Sequence, residues 1–470
     1  MSARKSIELG WLAPSLVIVL AITAIRWLLL AFNGTDLFVD ETQYWLWGQD
    51  FEFGYYSKPP LIAWVIGSVT AVFGDGAFAV RAPGAVFHAA TALILAALAA
   101  RLYGRGVAVW VAAAYVTLPM VGVGSLLIST DTIMAPFFAA ALFFHRRLVE
   151  SGRASDAILA GAMIGVACLA KYAGIYFLVG VALAAMLQRD MRLSWRNAGL
   201  LLAAWLVVLS PNLLWNLAHG LTTLSHTADN IGWVRQDDKL AGLNLAGLAE
   251  FGLAQFAVMG PGLFLALLVA LTRPSAGLVA FVVPALLIVS TQALLDKAYA
   301  NWAASAYLAG TVLAVAVLSY RLRWIAIGVN AALCIAVAVL TTQPRLEWGG
   351  EPLLSRYLGR AQISREVIAL AQEKGGLPIL AQGRAAIADL FYTGRDSGLM
   401  FYAPAPQGRP MHHYQQRYPL PADFSGPIIL LTRAPPPCAG TPVPMEDRNG
   451  GFKAHRLSVY LTDAECARGQ

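Results

Sequence analysis

Charge is what this 470-residue sequence has least of. Charged residues make up 13% of it and hydrophobic residues 58%, for a mean hydropathy of +0.61. A soluble globular chain carries about 25% charged residues, so a soluble protein this apolar lacks the polar atoms to cover its surface. Charge is also absent locally. No Asp, Glu, Lys or Arg occurs in 82–100, 106–130, 172–188, 197–228, 251–272, 274–295, 298–320 or 324–344. A membrane span needs about 20 apolar residues, and most of these runs are of that order. Two shorter runs, 132–145 and 157–170, add short or tilted spans, and a first run at 10–32 is interrupted by Arg26. The sequence therefore predicts an all-α polytopic membrane protein of about eleven spans.

Other absences narrow the chemistry. There is no HExxH or CxxC spacing, so the sequence assigns no residues to a metal and leaves a divalent cation as an open alternative. There is no Walker motif or glycine-rich nucleotide loop, so an anionic substrate is not expected as a cytoplasmic nucleotide. It would arrive within the membrane, its phosphate at the interface. No internal repeat and no low-complexity tract is visible. Of four cysteines, Cys168 and Cys334 lie in apolar runs and read as packing residues. Cys438 and Cys466 lie in the tail, where an oxidising compartment would let them pair.

The charges that are present set an orientation. Arg4, Lys5, Arg101, Arg105, Arg146, Arg147, Arg153, Arg189, Arg192, Arg196, Arg273, Arg321 and Arg323 all fall in connections on one side. Basic residues mark the cytoplasmic side. The connection at 33–60 is acidic, with Asp36, Asp40, Glu41, Asp50 and Glu52 against a single Lys58. This puts the N-terminus in the cytoplasm, with the first run an uncleaved helix, and the C-terminal segment in the periplasm of a bacterial inner-membrane protein. The net charge of +7 is then a topology signal, and nucleic-acid binding is not expected.

Two regions follow: a membrane domain over 1–342 and a periplasmic domain over 343–470. The tail has a helix-like stretch at 364–374 and strand-like runs at 378–381, 427–431 and 457–461, which predicts a small α/β domain. In the membrane domain the run 61–73 is too short to span and fits a helix lying in the interface. A second outer connection, 218–247, carries His219, His226, Asp229, Arg235, Asp237, Asp238 and Lys239. It is polar enough to be mobile.

The candidate chemistry lies on the outer face. Asp40 and Glu41 follow an apolar run and enter a tryptophan-rich stretch, where low dielectric suits a carboxylate to general-base work. A generic acidic pair is a solvated one, and the aromatic surroundings with Lys58 argue against that here. Lys58, followed by Pro59 and Pro60, is stiffened in place. A fixed ammonium beside the membrane surface suits a phosphate. A topology lysine belongs on the inside, so this one is out of place as such. Asp131 lies between two spans on the outer face, as a helix N-cap or as a second site acid. Lys171 and Arg81 are further outer-face cations, and Arg26 in the first run is ranked below them because it can snorkel. Tyr56, Tyr172 and His226 complete the expected substrate-facing set.

The stretches Asp40-Glu41-Thr42-Gln43-Tyr44, Tyr55-Tyr56-Ser57-Lys58-Pro59-Pro60-Leu61 and Val80-Arg81-Ala82-Pro83 resemble the polytopic GT-C-type glycosyltransferases. Within these the chain looks like the group holding protein O-mannosyltransferases and the lipid A aminoarabinose transferases. The similarity runs through roughly the first 340 residues, and the Asp-Glu pair with a downstream Lys-Pro is its specific part. The resemblance implies eleven to thirteen helices, juxtamembrane helices in the first outer loop, a polyprenyl-phosphate-sugar donor and inversion at the anomeric carbon. It implies Asp40 as catalytic base, Asp131 as the second-loop acid, and Lys58 and Lys171 toward the lipid phosphate. Glu41 would support the base. The acceptor would be a lipid, a glycan or a protein. Aminoarabinose transferases carry an acid before the Lys-Pro lysine, where this chain has Ser57, which argues against a metal there and against that sugar. The rival readings are a lipid-linked glycan ligase or transporter, and a membrane receptor with an outer sensor domain. Transporters place charges near the midplane and show inverted repeats. A receptor leaves the Asp-Glu and Lys-Pro loop unexplained.

Overall fold

A computed structural model of the chain describes residues 9–230, 243–273, 277–349, 351–446 and 451–468. Arg4, Lys5, Arg235, Asp237, Asp238 and Lys239, used above for topology and loop character, lie outside the described residues.

The first helix, α1 (Leu12–Ala31), is followed by the connection expected on the outer face, which folds as two helices, α2 (Val39–Gly48) and α3 (Leu61–Phe73). Helix α3 coincides with the run expected in the interface. Helices α4 (Ala77–Arg81) and α5 (Pro83–Tyr103) form one continuous apolar stretch. The charge-free run 106–130 was expected as one span, but it is broken into α6 (Arg105–Val116) and α7 (Pro119–Gly124). Pro119 has no N–H to donate, so carbonyls at the end of α6 are left over. Two side chains take them. Arg26 donates to the Val116 carbonyl, and Cys334 donates to that of Thr117 at 3.2 Å. Arg26 is therefore buried inside the bundle and does not snorkel, and Cys334 is more than a packing residue. A polar backbone at this depth has no water to bond, so it must be satisfied from within.

Helices α8 (Thr130–Ser151) and α9 (Ala154–Ala170) pack against each other and against α5 and α11 (Trp195–Ala218); α10 (Tyr176–Leu187) lies between α9 and α11 in the chain. The 132–145 run is thus part of a 22-residue helix, not a short span. Helix α12 (Thr222–Asn230) follows on the outer connection. Helices α13 (Leu245–Met259) and α14 (Pro261–Leu271) meet at a bend of 113°. Gly260 occupies the left-handed region there (φ +86°), and Asn330 donates to the Met259 carbonyl at 3.1 Å. Helices α15 (Val283–Leu295), α16 (Ala306–Val317) and α17 (Tyr320–Thr342) complete the bundle.

Among the described residues six helices are long and apolar enough to cross a membrane, or seven if the bent pair is one span. Helices α6, α9, α10 and α16 are shorter apolar segments. The charge-free runs mark where apolar segments lie, and the longer of these helices have the length of a span. The ends of α5 and α8 remote from Asp131 carry Arg101, Arg146 and Arg147, paired with Glu150 and Asp156.

After Thr342 the chain forms a hairpin, β1 (Glu347–Trp348) with β2 (Glu351–Pro352), and then an α/β unit. Its elements are α18 (Arg360–Glu373), β3 (Ile379–Ala381), α19 (Arg384–Thr393), β4 (Phe401–Tyr402), α20 (His413–Arg417), β5 (Pro427–Thr432), α21 (Gly451–His455), β6 (Ser458–Asp463) and α22 (Ala464–Ala467). The sheet order is β4-β3-β5-β6, parallel except for the β5–β6 pair. Ile429 and Leu431 face α18 and α19, while Ile428 and Leu430 pack on the other side with Leu420 and Tyr460. Both faces of β5 are covered, which is why its sequence reads as continuous apolar residues. Cys438 and Cys466 are joined in a disulfide in this unit.

The unit is anchored on the first outer connection. The Asp36 N–H donates to the Tyr357 carbonyl at 2.9 Å, and Asp36 Oδ2 accepts from the Arg360 N–H at 2.9 Å. Val39 and Leu46 of α2 pack into the core formed by α18, α19 and the sheet.

Candidate active site

Asp40 and Glu41 open α2, and consecutive helical residues point about 100° apart. Glu41 turns inward and is fully buried. It accepts from the Phe38 N–H at 2.8 Å, which caps the helix start, and from the Ile128 N–H at 3.1 Å. Arg81 meets it through Nη2 at 2.8 Å and Nε at 3.0 Å, and also donates to the carbonyls of Thr35 and Asp36. Both side chains are at most 2% exposed. This corrects the expectation for both residues. Arg81 is committed to Glu41 and to backbone carbonyls, so the pair ties the first connection to α4 and to the loop before α8 instead of facing a substrate.

Asp40 turns outward, and its side chain is 39% exposed. Its Oδ1 accepts from Nη2 of Arg384, the first residue of α19. Arg384 Nε donates to Gln43 Oε1 at 2.8 Å. Asp40 Oδ2 and Arg384 Nη1 make no hydrogen bond among the described residues.

Asp131 lies in the first turn of α8. The cap of that helix is Ser129, whose hydroxyl accepts from the Thr132 N–H at 3.3 Å, so Asp131 is not the N-cap. Its carboxylate takes the Lys171 ammonium at 2.7 and 2.9 Å and the Asn301 amide at 2.9 Å. Lys171 stands where α9 ends and the chain turns extended before the 3-10 turn Tyr172–Ile175. Tyr172 donates to Asn212 Oδ1 at 2.8 Å and accepts from Asn216 at 3.2 Å.

Lys58 is half-buried, and its ammonium makes no hydrogen bond or ion pair among the described residues. Burial pushes its pKa down from the ordinary lysine value, Lys171 and Arg384 push it the same way, and Asp40 and Asp131 oppose them. All four charges are therefore close enough to act on it. Ser57 beside it is buried under the Gln43 amide at 3.4 Å. Tyr56 donates to the Pro410 carbonyl at 2.7 Å and meets His226 edge-on at 5.0 Å. His219 is exposed and stacked on Trp215 at 4.1 Å, and with Tyr56 it lines a cavity between the first connection and α20.

Sequence reasoning placed Asp40, Lys58, Asp131 and Lys171, and the fold brings these four together. It missed Arg384, Gln43 and Asn301. Asn301 was hidden in a charge-free run that is a 3-10 turn at its start. Gln43 stood inside a quoted motif without a partner to make it matter. Arg384 carries no local signal, since its partner is 344 positions away.

Comparisons with known proteins bear on the family of the chain. Residues 57–215 match the family described as dolichyl-phosphate-mannose-protein mannosyltransferase. The chain is 40% identical over 472 residues to the lipid A galacturonosyltransferase RgtD of Rhizobium johnstonii, covering 96% of this chain and 98% of that protein. In fold it is similar to ArnT from Cupriavidus metallidurans, at 15% identity. The TM-score is 0.61 against the apo crystal structure, covering 97% of this chain and 99% of that one. Against the structure bound to undecaprenyl phosphate it is 0.63, with 98% and 100% covered. On the near-full-length identity to RgtD, the shared fold and the outer-loop residues that carry the resemblance, this chain belongs to the GT-C-type polytopic membrane glycosyltransferases.

Proposed function

We propose that the enzyme transfers a sugar from a polyprenyl-phosphate donor to lipid A at the periplasmic face of the inner membrane, with inversion, and that the sugar is a uronic acid. The observation that carries this reading is the Lys58 ammonium, which has no partner among the described residues and lies in the field of two carboxylates and two paired cations. A compact fixed charge of this kind suits a phosphate. The relative named as a lipid A galacturonosyltransferase supports the acceptor and the sugar class. The ArnT structure named as bound to undecaprenyl phosphate has the same fold and so fits a lipid-linked donor. The outer-face location is supported by the Cys438–Cys466 disulfide, since disulfides persist in oxidising compartments.

An acceptor hydroxyl oxygen attacks the anomeric carbon from the face opposite the phosphate. The carbon–oxygen bond to the phosphate breaks, and polyprenyl phosphate leaves with the bonding electrons. Asp40 takes the acceptor's proton on Oδ2 while Arg384 holds Oδ1. Lys58 meets the charge that grows on the leaving phosphate. Lys171, held by Asp131, adds to the positive field, and Asp131 helps to orient the acceptor. One displacement inverts the anomeric carbon. Helix α3 shapes the approach of the lipid.

The test uses the full chain in proteoliposomes with polyprenyl-phosphate sugars and lipid A. Wild type is expected to release free polyprenyl phosphate, and Asp40→Asn to slow this by at least about 100-fold, the scale of a lost general base. Lys58→Ala is expected to raise KM for the donor. Mutants that match wild type, or a wild type that consumes no donor, sink the assignment.

A further inference from the structure

We propose that Arg384 is the specificity-determining cation of the site, taking the carboxylate of a uronic-acid sugar on the lipid-linked donor. This rests on the transferase reading above and names what that site selects.

Four cations have been described near the outer carboxylates, and they are not equivalent. Arg81 is saturated by Glu41 and backbone carbonyls and is 2% exposed. Lys171 is held by both oxygens of Asp131. Lys58, a point charge with no partner among the described residues, is assigned to the phosphate. Arg384 alone joins a planar fork to unused donors. A guanidinium has five N–H groups. One goes to Gln43 and one to Asp40, which leaves three, two of them on Nη1. Its side chain is 35% exposed, so those donors can be reached. Planar, bidentate recognition of a carboxylate is what this fork does better than an ammonium.

The placement also fits. Arg384 touches the proposed base, so a group it binds lies beside the carbon under attack, and it lies within electrostatic reach of Lys58. A sugar held by its phosphate linkage at Lys58 and by its carboxylate at Arg384 is fixed at both ends. The position of Arg384 is set by the backbone. Gly383, at φ +103°, turns the chain from β3 into α19, and the Gln43 contact fixes the guanidinium against α2. The same guanidinium orients Asp40, so recognition of the sugar and aim of the base share one side chain.

The experiment compares two donors that differ only at C6, polyprenyl-phosphate galacturonate and polyprenyl-phosphate galactose, with lipid A as acceptor. The readout is the ratio of their kcat/KM values in wild type, Arg384→Gln and Arg384→Lys, with Tm measured alongside. Because Arg384 also orients Asp40, both donors are expected to slow in Arg384→Gln. The galacturonyl donor should fall further by about 10- to 100-fold, the scale of a lost charged hydrogen bond, mainly through KM. Arg384→Lys should restore part of the ratio. A ratio unchanged in a folded Arg384→Gln, or a wild type that uses both donors equally, overturns this role while the transferase reading stands. A wild type that uses neither donor overturns the donor and acceptor given under the proposed function, and this role with them.

Discussion

Asp40 and Glu41 are neighbours in the chain with opposite surroundings. Glu41 is sealed with Arg81, while Asp40 is more than a third exposed and faces Arg384. Removing one partner of a buried ion pair leaves the other charge uncompensated, at a cost of about 3–5 kcal/mol. Glu41→Gln is therefore expected to lower Tm sharply. Asp40→Asn should shift it little, because an exposed pair contributes at most about 1 kcal/mol. Thermal unfolding of the two detergent-solubilised variants checks this, and equal Tm losses would contradict the division of roles. The acidic pair was legible in the sequence. Which member faces in was not, because a helix start three residues either way rotates both.

Within the first connection, α2 and α3 are held together by a close approach of backbones. Helices α2 and α3 cross where Gly48 meets Gly67. A Cβ on Gly67 would stand 2.3 Å from the Gly48 carbonyl oxygen, and one on Gly48 would stand 2.8 Å from the Gly67 nitrogen. Backbone cannot swing aside as a flexible side chain does, so Gly67→Ala should force the helices apart. The expected loss is roughly 1–3 kcal/mol, the usual range for overpacking, together with lower activity as Asp40 on α2 shifts from Lys58. Unchanged Tm and unchanged transfer would mean the crossing is looser than these distances say. Helix α3 itself was legible, since its apolar run is bounded by Pro60 and Gly74. The breaks in 106–130 and at Gly260 were not, because hydropathy does not record where a chain bends.

Across the molecule, the C-terminal unit is joined to the outer connection through buried groups that titrate. His413 of α20 is 7% exposed and packs edge-on against Trp47 of α2 at 5.6 Å. Burial pushes its pKa down to about 3, with Arg417, His412 and Arg384 adding to the effect. The unfolded value is 6.5, so below that pH the unfolded state binds the proton and the folded state does not. Stability from neutral His413 is then present above 6.5 and is lost as pH falls toward 3. Asp389 of α19 works the other way. Burial raises its pKa from 3.8 to about 6, so it favours the folded state as pH falls through that window. His413→Gln is expected to flatten the fall of Tm between pH 6.5 and 4, measured against wild type. The same slope in both proteins would place the acid sensitivity elsewhere.

The sequence by itself determined the class of protein. Charge-free runs, an acidic loop and an out-of-place Lys-Pro lysine are properties of consecutive residues, and they led to a membrane protein with Asp40, Lys58, Asp131 and Lys171 as candidates; the resemblance carried by the Asp-Glu and Lys-Pro stretches implied the glycosyltransferase. Strand-like and helix-like runs in the tail were legible for the same reason. Only the tertiary structure decided the pairings, with Arg81 going to Glu41, Lys171 to Asp131 and Arg384 to Asp40, and Lys58 without a partner among the described residues. Ion pairs form between side chains that packing brings together. No local pattern of residues shows that the start of α19 comes to rest on the start of α2.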